Sequence, residues 1–246
     1  MLNETTVTKL HEMRMNVMAQ SFKEQLQNPD FSAMPFEERF GLIVDCEWGT
    51  RKSNKLIRLI KSAGYEFNNA CVEDIDYRAD RKLDRAQITA LATCNYIMEH
   101  HNIVILGATG NGKTYLSNAF GVSANRNFYP VKYIRLPDLL AELAIARQEH
   151  TYQNVVKQYK QICLLILDEW LLFPLKETEA RDVLDIVNYR HKRASTIFCS
   201  QFEPQDWHQK INEITVADAI CDRIVHDSYT IFIEGESMRK FNGIRK

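Results

Sequence analysis

The chain has 246 residues, 45% of them hydrophobic, a formal net charge of -1 and a pI near 6.7. This length and apolar content can support a substantial core, and the near-neutral charge excludes a uniformly basic nucleic-acid coat protein, so any DNA binding must come from local patches. The six cysteines form no C-x-x-C pair, which argues against zinc and disulfides, and no apolar stretch approaches membrane-spanning length, so we expect a cytoplasmic protein with no membrane partner.

The first 74 residues predict a small α-helical domain. Apolar residues recur at helical spacing over residues 10–18 and again over residues 36–44, with prolines between them. A third predicted helix begins near Thr50, and its polar face is purely basic. The basic residues are Arg51, Lys52, Lys55, Arg58 and Lys61. A change in charge pattern after residue 74 places the boundary to a second domain, residues 75–246.

Short apolar runs alternate with helical stretches through this second domain. The runs lie at residues 103–106, 131–134, 162–167, 196–199 and 230–233. Each is short and bounded, as buried parallel strands are, and the βαβ series predicts a parallel five-stranded α/β sheet with its ligand at the carboxyl ends of the strands. Two helical pieces separate the second and third strands, where a minimal fold of this type needs one.

A phosphate-binding loop of the Walker A type follows the first predicted strand. It comprises Gly107, Ala108, Thr109, Gly110, Asn111, Gly112, Lys113 and Thr114, and Tyr115 opens the next helix. The glycines let backbone N–H groups point at phosphate oxygens, Lys113 supplies a positive charge, and Thr114 supplies a hydroxyl for Mg²⁺. The alternative is a hairpin turn at Asn111-Gly112, but the residues that follow do not alternate as a strand would. The loop therefore predicts ATP and Mg²⁺ as cofactors.

The third predicted strand ends in Asp168 and Glu169, a Walker B pattern. A buried strand aims Asp168 at the Mg²⁺ shell, and Glu169 can polarise a water for attack on the γ-phosphate. Two acids at the solvated end of an ordinary strand are the alternative, which the preceding Walker A loop disfavours. The fourth strand ends in Ser200 and Gln201, either of which can orient the attacking water.

These motifs, together with Asp222-Arg223 and the Gly-Glu-Ser-Met-Arg-Lys run at residues 235–240, resemble the IstB family, ATP-binding helper proteins of bacterial insertion-sequence transposons. The sequence is similar, more distantly, to the replicative helicase loader DnaC. The resemblance extends upstream into residues 75–84 and so covers most of the chain. It implies an AAA+ P-loop NTPase fold preceded by the helical domain, and the extra helix after the second strand resembles the insertion of the initiator and loader clade.

The resemblance also implies roles for polar residues that the sequence alone does not single out. Arg223 matches the arginine finger that reaches ATP on a neighbouring subunit, and Arg239 matches sensor 2, which contacts nucleotide in its own subunit. Ser200 or Gln201 falls at sensor 1, and we assign Ser200 to catalysis with Glu169. The chain departs from many AAA+ proteins because it ends soon after Arg239, without a full helical lid.

The leading hypothesis is an ATPase that binds duplex DNA through the basic helix, assembles as a homo-oligomer and engages the transposase of the same element. A solvated surface helix is the alternative for the basic residues. A replicative helicase loader is the second hypothesis, because it shares the ATPase core. A small-molecule kinase would need an acceptor site and has no use for Glu169 with Arg223 and Arg239, and no Asn-Lys-x-Asp motif supports a GTPase.

Overall fold

The computed structural model describes residues 2–238, which divide into two compact units, the first ending at Arg58 and the second beginning at Leu59. The first unit is helical. It contains α1 (Leu2–Glu12), α2 (Asn16–Gln27), a 3-10 helix (Pro29–Ala33) and α3 (Phe36–Ala63), whose last residues belong to the second unit.

Helix α3 corrects the prediction of separate helices at residues 36–44 and from Thr50 onward. Residues 36–63 form one continuous helix, with Gly41 and Gly49 in its interior. A glycine costs about 1 kcal/mol relative to alanine inside a helix, and no proline lies between the two predicted segments. The glycines therefore weaken the helix without ending it.

The second unit alternates helices and strands along the chain. Its α-helices are α4 (Arg85–Ala92), α5 (Asn95–Met98), α6 (Lys113–Arg126), α7 (Leu136–Gln148), α8 (Tyr152–Gln161), α9 (Glu177–Arg190) and α10 (Ile214–Val225). Its strands are β1 (Asn102–Gly107), β2 (Val131–Arg135), β3 (Leu164–Trp170), β4 (Ser195–Ser200) and β5 (Ser228–Ile233). Short 3-10 helices lie at Val72–Asp74, Ala79–Arg81 and Pro204–Lys210.

The strands form a parallel five-stranded sheet in the order β2-β3-β4-β1-β5, which confirms the predicted fold class. Strand β4 lies between β1 and β3, so the ends of the two motif-bearing strands flank the end of β4. Parallel strands end at one edge, so the polar residues after β1, β3 and β4 converge there. The two helices between β2 and β3, α7 and α8, also match the prediction.

Apolar side chains cover both faces of the sheet. One face packs against α7, α8, α9 and α10, and its centre is Trp170, whose ring lies 4.7 Å from Phe198 and 5.7 Å from Trp207, centroid to centroid. The other face packs against α4 and α6. Strands buried on both faces explain the continuous apolar runs in the sequence. Within residues 2–238, no helix has both the length and the apolarity needed to cross a membrane.

The second compact unit begins earlier than the domain boundary that charge predicted at residue 74. Tyr65 donates its hydroxyl to Asn125 at 2.8 Å, and the Phe67 backbone N–H donates to Asn118 at 3.0 Å. A β-carbon on Gly121 would lie 2.6 Å from the Tyr65 ring, so α6 can approach this segment only with glycine there. Residues 59–74 therefore pack with the rest of the second unit, an association that composition does not reveal.

Arg190 is a buried side chain that forms hydrogen bonds at the amino end of the sheet. Its guanidinium is 2% exposed and donates to the Thr196 hydroxyl at 2.9 Å and to the carbonyls of Tyr159 and Ile162 at 2.9 and 2.7 Å. Burial lowers the pKa of Arg190 to about 9. This buried cation is held by carbonyls and a hydroxyl, so its part is to join the starts of β3 and β4 to the end of α8.

Candidate nucleotide site

The loop after β1 has the backbone of a phosphate-binding nest. A β-carbon on Gly107 would lie 2.5 Å from the Ile233 carbonyl oxygen, so only glycine lets β1 and β5 end side by side there. Gly112 has φ +89° and precedes the first residue of α6. Glycine adopts this left-handed conformation without strain, and the N-terminal N–H groups of α6 are thereby turned toward the loop.

Lys113 is held across the loop by main-chain oxygens. Its ammonium donates to the Gly107 carbonyl at 2.6 Å and to the Ala108 carbonyl at 2.9 Å, and the residue is 9% exposed. These contacts place a partly desolvated positive charge beside the N-terminus of α6. Both the charge and the helix dipole favour an anion at this point.

Asp168 joins the loop to the end of β3. Its Oδ2 accepts from the Thr114 hydroxyl at 2.6 Å and from the Tyr133 hydroxyl at 3.0 Å, and its Oδ1 accepts from the Glu169 N–H at 2.8 Å. The side chain is 4% exposed. The two motifs that the sequence analysis paired, 54 residues apart at Thr114 and Asp168, thus meet in one hydrogen-bonded cluster.

Glu169 leaves the strand in an unusual backbone conformation. Its φ is +52°, and the pairing of β3 with β4 is irregular between Leu167 and Trp170. A bulge of this kind redirects the side chain from the regular alternation of a strand. The Glu169 carboxylate is 36% exposed, and its Oε1 lies 4.0 Å from Arg135 Nη1. It therefore lies at the solvent-accessible rim, while Asp168 lies inside.

The structure distinguishes the contacts of Ser200 from those of Gln201, and the catalytic role of Ser200 stays a prediction. Ser200 is fully buried; its hydroxyl donates to the Trp170 carbonyl at 3.1 Å and accepts from the Phe202 N–H at 3.1 Å. Gln201 instead accepts from the Thr109 hydroxyl at 2.8 Å. Of the two side chains, Gln201, the residue directly after β4, is therefore the one that contacts the loop.

Arg81, in the 3-10 helix before α4, also contacts the phosphate-binding loop. The sequence did not identify it as a site residue. Arg81 is 5% exposed, and it donates to the Asn111 carbonyl at 2.7 Å and to the Asp76 carbonyl at 2.8 Å. Burial lowers the pKa of Arg81. On the tail, the Met238 N–H donates to the Gly110 carbonyl at 2.9 Å. The only sequence signal for Arg81 was its place in a charged stretch, which does not identify a buried member.

A cleft of about 470 Å³ lies beside the loop. This volume is within the range of small-molecule sites, roughly 300–1,000 Å³. Its walls combine the loop and the start of α6 with the segment that precedes α4. The lining includes Phe67, Ile75, Leu83, Gly112, Tyr115 and Met238. The acids Glu66, Asp74 and Asp76 also line the cleft. The apolar and aromatic part of this lining, next to a phosphate-binding loop, suits a flat heterocycle attached to phosphates.

Of the two arginines predicted to contact nucleotide, Arg223 lies within the described residues and Arg239 lies outside them. Arg223, in the last turn of α10, donates to the Asn188 side chain at 2.8 Å and to the Ala219 carbonyl at 2.8 Å. Within residues 2–238, these hydrogen bonds hold the Arg223 side chain to α9 and α10. Arg239 lies outside the described residues, so its prediction as sensor 2 has no structural counterpart here.

The basic residues predicted to bind DNA are exposed, and several of them contact other residues of the chain. Arg51 pairs with Glu47 at 2.6 Å and donates to the Arg14 carbonyl at 2.9 Å. Lys52 lies 5.3 Å from the centre of the Trp48 ring. The remaining three, Lys55, Arg58 and Lys61, are also exposed, and Lys61 belongs to the second unit.

Comparison with known proteins identifies relatives along almost the whole chain. Residues 8–245 match the family described as IstB-like ATP binding protein. The insertion sequence ATP-binding protein y4pL of Sinorhizobium fredii is 39% identical over 240 residues, covering 98% of each chain. The IS1162 ATP-binding protein of Pseudomonas fluorescens is 37% identical over 201 residues, covering 82% of this chain and 87% of that one.

Solved structures share the fold of the second unit. The DnaC helicase loader superposes with a TM-score of 0.58 at 16% identity, covering 68% of this chain and 97% of that one. AMPPCP-bound DnaA from Aquifex aeolicus superposes with a TM-score of 0.57 at 22% identity, covering 70% of this chain and 52% of that one. At these identities the likeness establishes the AAA+ fold.

Proposed function

The chain belongs to the family of IstB-like ATP-binding proteins, and from that membership we propose that it is a Mg²⁺-dependent ATPase that serves as a DNA-binding transposition helper. The observation that carries the proposal is the hydrogen bond from Thr114 to Asp168, 2.6 Å long, because it joins the phosphate loop to the acidic end of β3. Two insertion-sequence relatives are 39% and 35% identical over 98% of the chain, whereas the DnaC structure is 16% identical, which favours a transposition helper over a helicase loader.

Nucleotide binding rests on the loop and the cleft beside it. Backbone N–H groups of the loop and the dipole of α6 receive the phosphates, and Lys113 neutralises their charge. The apolar wall of the cleft receives the nucleoside. Arg81 and Met238 fix the carbonyls of Asn111 and Gly110, respectively, so these oxygens are turned away from the phosphates that they would repel.

The residues present fit a magnesium ion. The Thr114 hydroxyl and the Asp168 carboxylate are hard oxygen ligands that already lie together, and Mg²⁺ commonly uses one or two such groups plus substrate phosphates and water. When bound, the ion would neutralise charge on the phosphates. Thr114 and Asp168 would hold it, and Lys113 would act on the same phosphates from the other side.

Hydrolysis requires a base at the rim of this cluster. Glu169 is the carboxylate placed there, beside the buried Asp168, and it would accept a proton from the attacking water. Gln201, bonded to Thr109 of the loop, is the amide that would orient that water in the sensor 1 position. Asp168 would therefore contact the cation inside the site, and Glu169 would contact water at its rim.

Assembly would complete the site. Arg223 lies on α10 and has hydrogen bonds with neutral partners, Asn188 and Ala219. Because these two partners are uncharged, the Arg223 guanidinium could still bind a phosphate of ATP held by a second copy of the chain. We therefore propose a homo-oligomer in which Arg223 serves the neighbouring subunit, with duplex DNA bound by the exposed basic residues of α3 and the transposase of the same element as the protein partner.

The test is steady-state ATP turnover measured with and without duplex DNA, in Mg²⁺ and in EDTA. We expect turnover that needs Mg²⁺ and rises severalfold with DNA, together with a larger assembly seen by electron microscopy when ATP analogue and DNA are both present. A rate of ATP turnover that does not change with DNA but rises with a phosphate acceptor would identify a kinase instead. Stable capture of a replicative helicase, rather than the transposase, would identify a helicase loader.

A further inference from the structure

Tyr133 is a buried residue of β2 that the nucleotide motifs do not include. It is 7% exposed, and its hydroxyl oxygen lies 3.0 Å from Asp168 Oδ2. Strand β2 pairs with β3 in parallel register, Arg135 opposite Asp168, so the two side chains approach across neighbouring strands. No motif in the sequence marks this contact, because 35 residues separate its partners.

The hydrogen bonds around Asp168 hold its carboxylate in one rotation. Thr114 and Tyr133 donate to Oδ2, while the Glu169 N–H donates to Oδ1. Rotating the carboxylate would break all three bonds. Of these donors, Thr114 must also offer oxygen to a cation, and the Glu169 amide belongs to the bulge. Only Tyr133 has no other task at the site.

A phenol hydroxyl can donate one hydrogen bond, and the Tyr133 hydroxyl lies 3.0 Å from Oδ2 of Asp168, which accepts it. Groups that orient a metal-ligating side chain in this way typically change metal affinity about 10–100-fold when they are removed.

We propose that Tyr133 is a positioning residue for Mg²⁺, which acts by holding Asp168 in the orientation that receives the cation. This inference rests on the proposed ATPase function, because it assigns Tyr133 a part in that same site. It predicts a specific defect: weaker metal binding with nucleotide present, and little change in nucleotide binding without metal.

The test variant is Tyr133→Phe, which removes one oxygen and keeps the ring. The matched control is Tyr159→Phe, because Tyr159 is 2% exposed and also donates to a carboxylate, Glu142 at 2.5 Å, away from the loop. Binding of Mn²⁺ to the protein–ADP complex is measured by electron paramagnetic resonance, and ADP binding in EDTA by calorimetry. Two quantities are then measured for wild type and each variant: the Mg²⁺ concentration that half-saturates ATP turnover, and the turnover rate at saturating Mg²⁺.

For Tyr133→Phe we expect the Mn²⁺ affinity to fall roughly 10-fold and the half-saturating Mg²⁺ concentration to rise roughly 10-fold. Turnover at saturating Mg²⁺ should stay near wild type. Tyr159→Phe should match wild type in all of these, and thermal unfolding should be similar for both variants. Mn²⁺ affinity unchanged in Tyr133→Phe, or equally reduced in Tyr159→Phe, would overturn the positioning role. A wild-type protein that binds Mn²⁺ and ADP but never hydrolyses ATP would overturn the proposed function, and the Mn²⁺ measurements would still decide the role of Tyr133.

Discussion

The nucleotide site and the basic part of α3 hold their charged groups in opposite ways. At the site, Lys113 and Asp168 are 9% and 4% exposed; Lys113 is fixed by carbonyls of its own loop, and Asp168 by the hydroxyls of Thr114 and Tyr133, which lie 54 and 35 residues away. On α3, Arg51 and Arg58 are exposed; Arg51 pairs with Glu47 one turn away, and Arg58 donates to the carbonyl of Asn54 in the same helix. Buried, preorganised groups suit chemistry on one ligand, whereas exposed charges suit phosphates at any position along DNA.

The sharpest test of this contrast is Arg223, an arginine whose proposed target lies on another copy of the chain. Arg223→Ala should bind ATP but lose roughly 10³-fold or more of its turnover, the range measured for arginine fingers. Mixing it with Lys113→Ala, whose own ATP binding is weakened but which still carries Arg223, should restore turnover at shared interfaces. Phosphate release from the mixture and from each variant alone is the measurement.

Arg181→Ala serves as the control for Arg223, because Arg181 is an exposed arginine of α9 paired locally with Glu177. It should keep wild-type turnover. If the mixture is no more active than its two components while both variants still assemble on DNA, Arg223 acts in its own subunit or only in structure.

Glu169→Gln should bind ATP and Mg²⁺ like wild type yet hydrolyse roughly 10²–10⁴-fold more slowly, because an amide cannot take the proton of the attacking water. Single-turnover measurements with labelled ATP separate this defect from product release. Glu149→Gln, at an exposed glutamate after α7, is the control and should be neutral. Wild-type turnover in Glu169→Gln would remove Glu169 from catalysis.

Lys113→Ala should weaken ATP binding at least about 100-fold, or about 2.7 kcal/mol, because the phosphates lose a partly desolvated positive charge. Lys157→Ala, at an exposed lysine of α8, is the control. Calorimetric titration measures both, and circular dichroism checks that neither unfolds. Equal ATP affinity in the two variants would contradict the phosphate-loop assignment.

The smallest expected effect belongs to α3. Replacing Arg51, Lys55 and Arg58 with alanine should leave ATP binding unchanged and reduce the salt slope of duplex binding by up to about 3, since each phosphate contact contributes roughly 0.9. The charge-matched control replaces Lys9, Arg14 and Lys23, which are exposed elsewhere in the first unit. Fluorescence anisotropy over a salt series compares them. Identical slopes for the two triple variants would make α3 an ordinary solvated helix.

The sequence was informative wherever chemistry depends on neighbouring residues. The loop, the acidic end of β3 and the five strands follow from local spacing, and the structure confirms this fold. Contacts between distant residues were not predictable. Arg81 reaches Asn111 across 30 residues, and Tyr133 reaches Asp168 across 35. The contacts that distinguish Ser200 from Gln201 were not predictable for the same reason, because they include the Trp170 carbonyl of a neighbouring strand.

Glu169 stands in a left-handed conformation that costs a non-glycine residue roughly 1–2 kcal/mol, and its N–H is bonded to the carboxylate of Asp168. The peptide between the two acids therefore makes their geometries interdependent. Removing the Asp168 carboxylate would also remove the acceptor of the Glu169 N–H and free the bulge to relax. In genetic terms, substitutions at the two positions should be strongly epistatic: after one acid is lost, loss of the other should cost far less than it does in the intact protein.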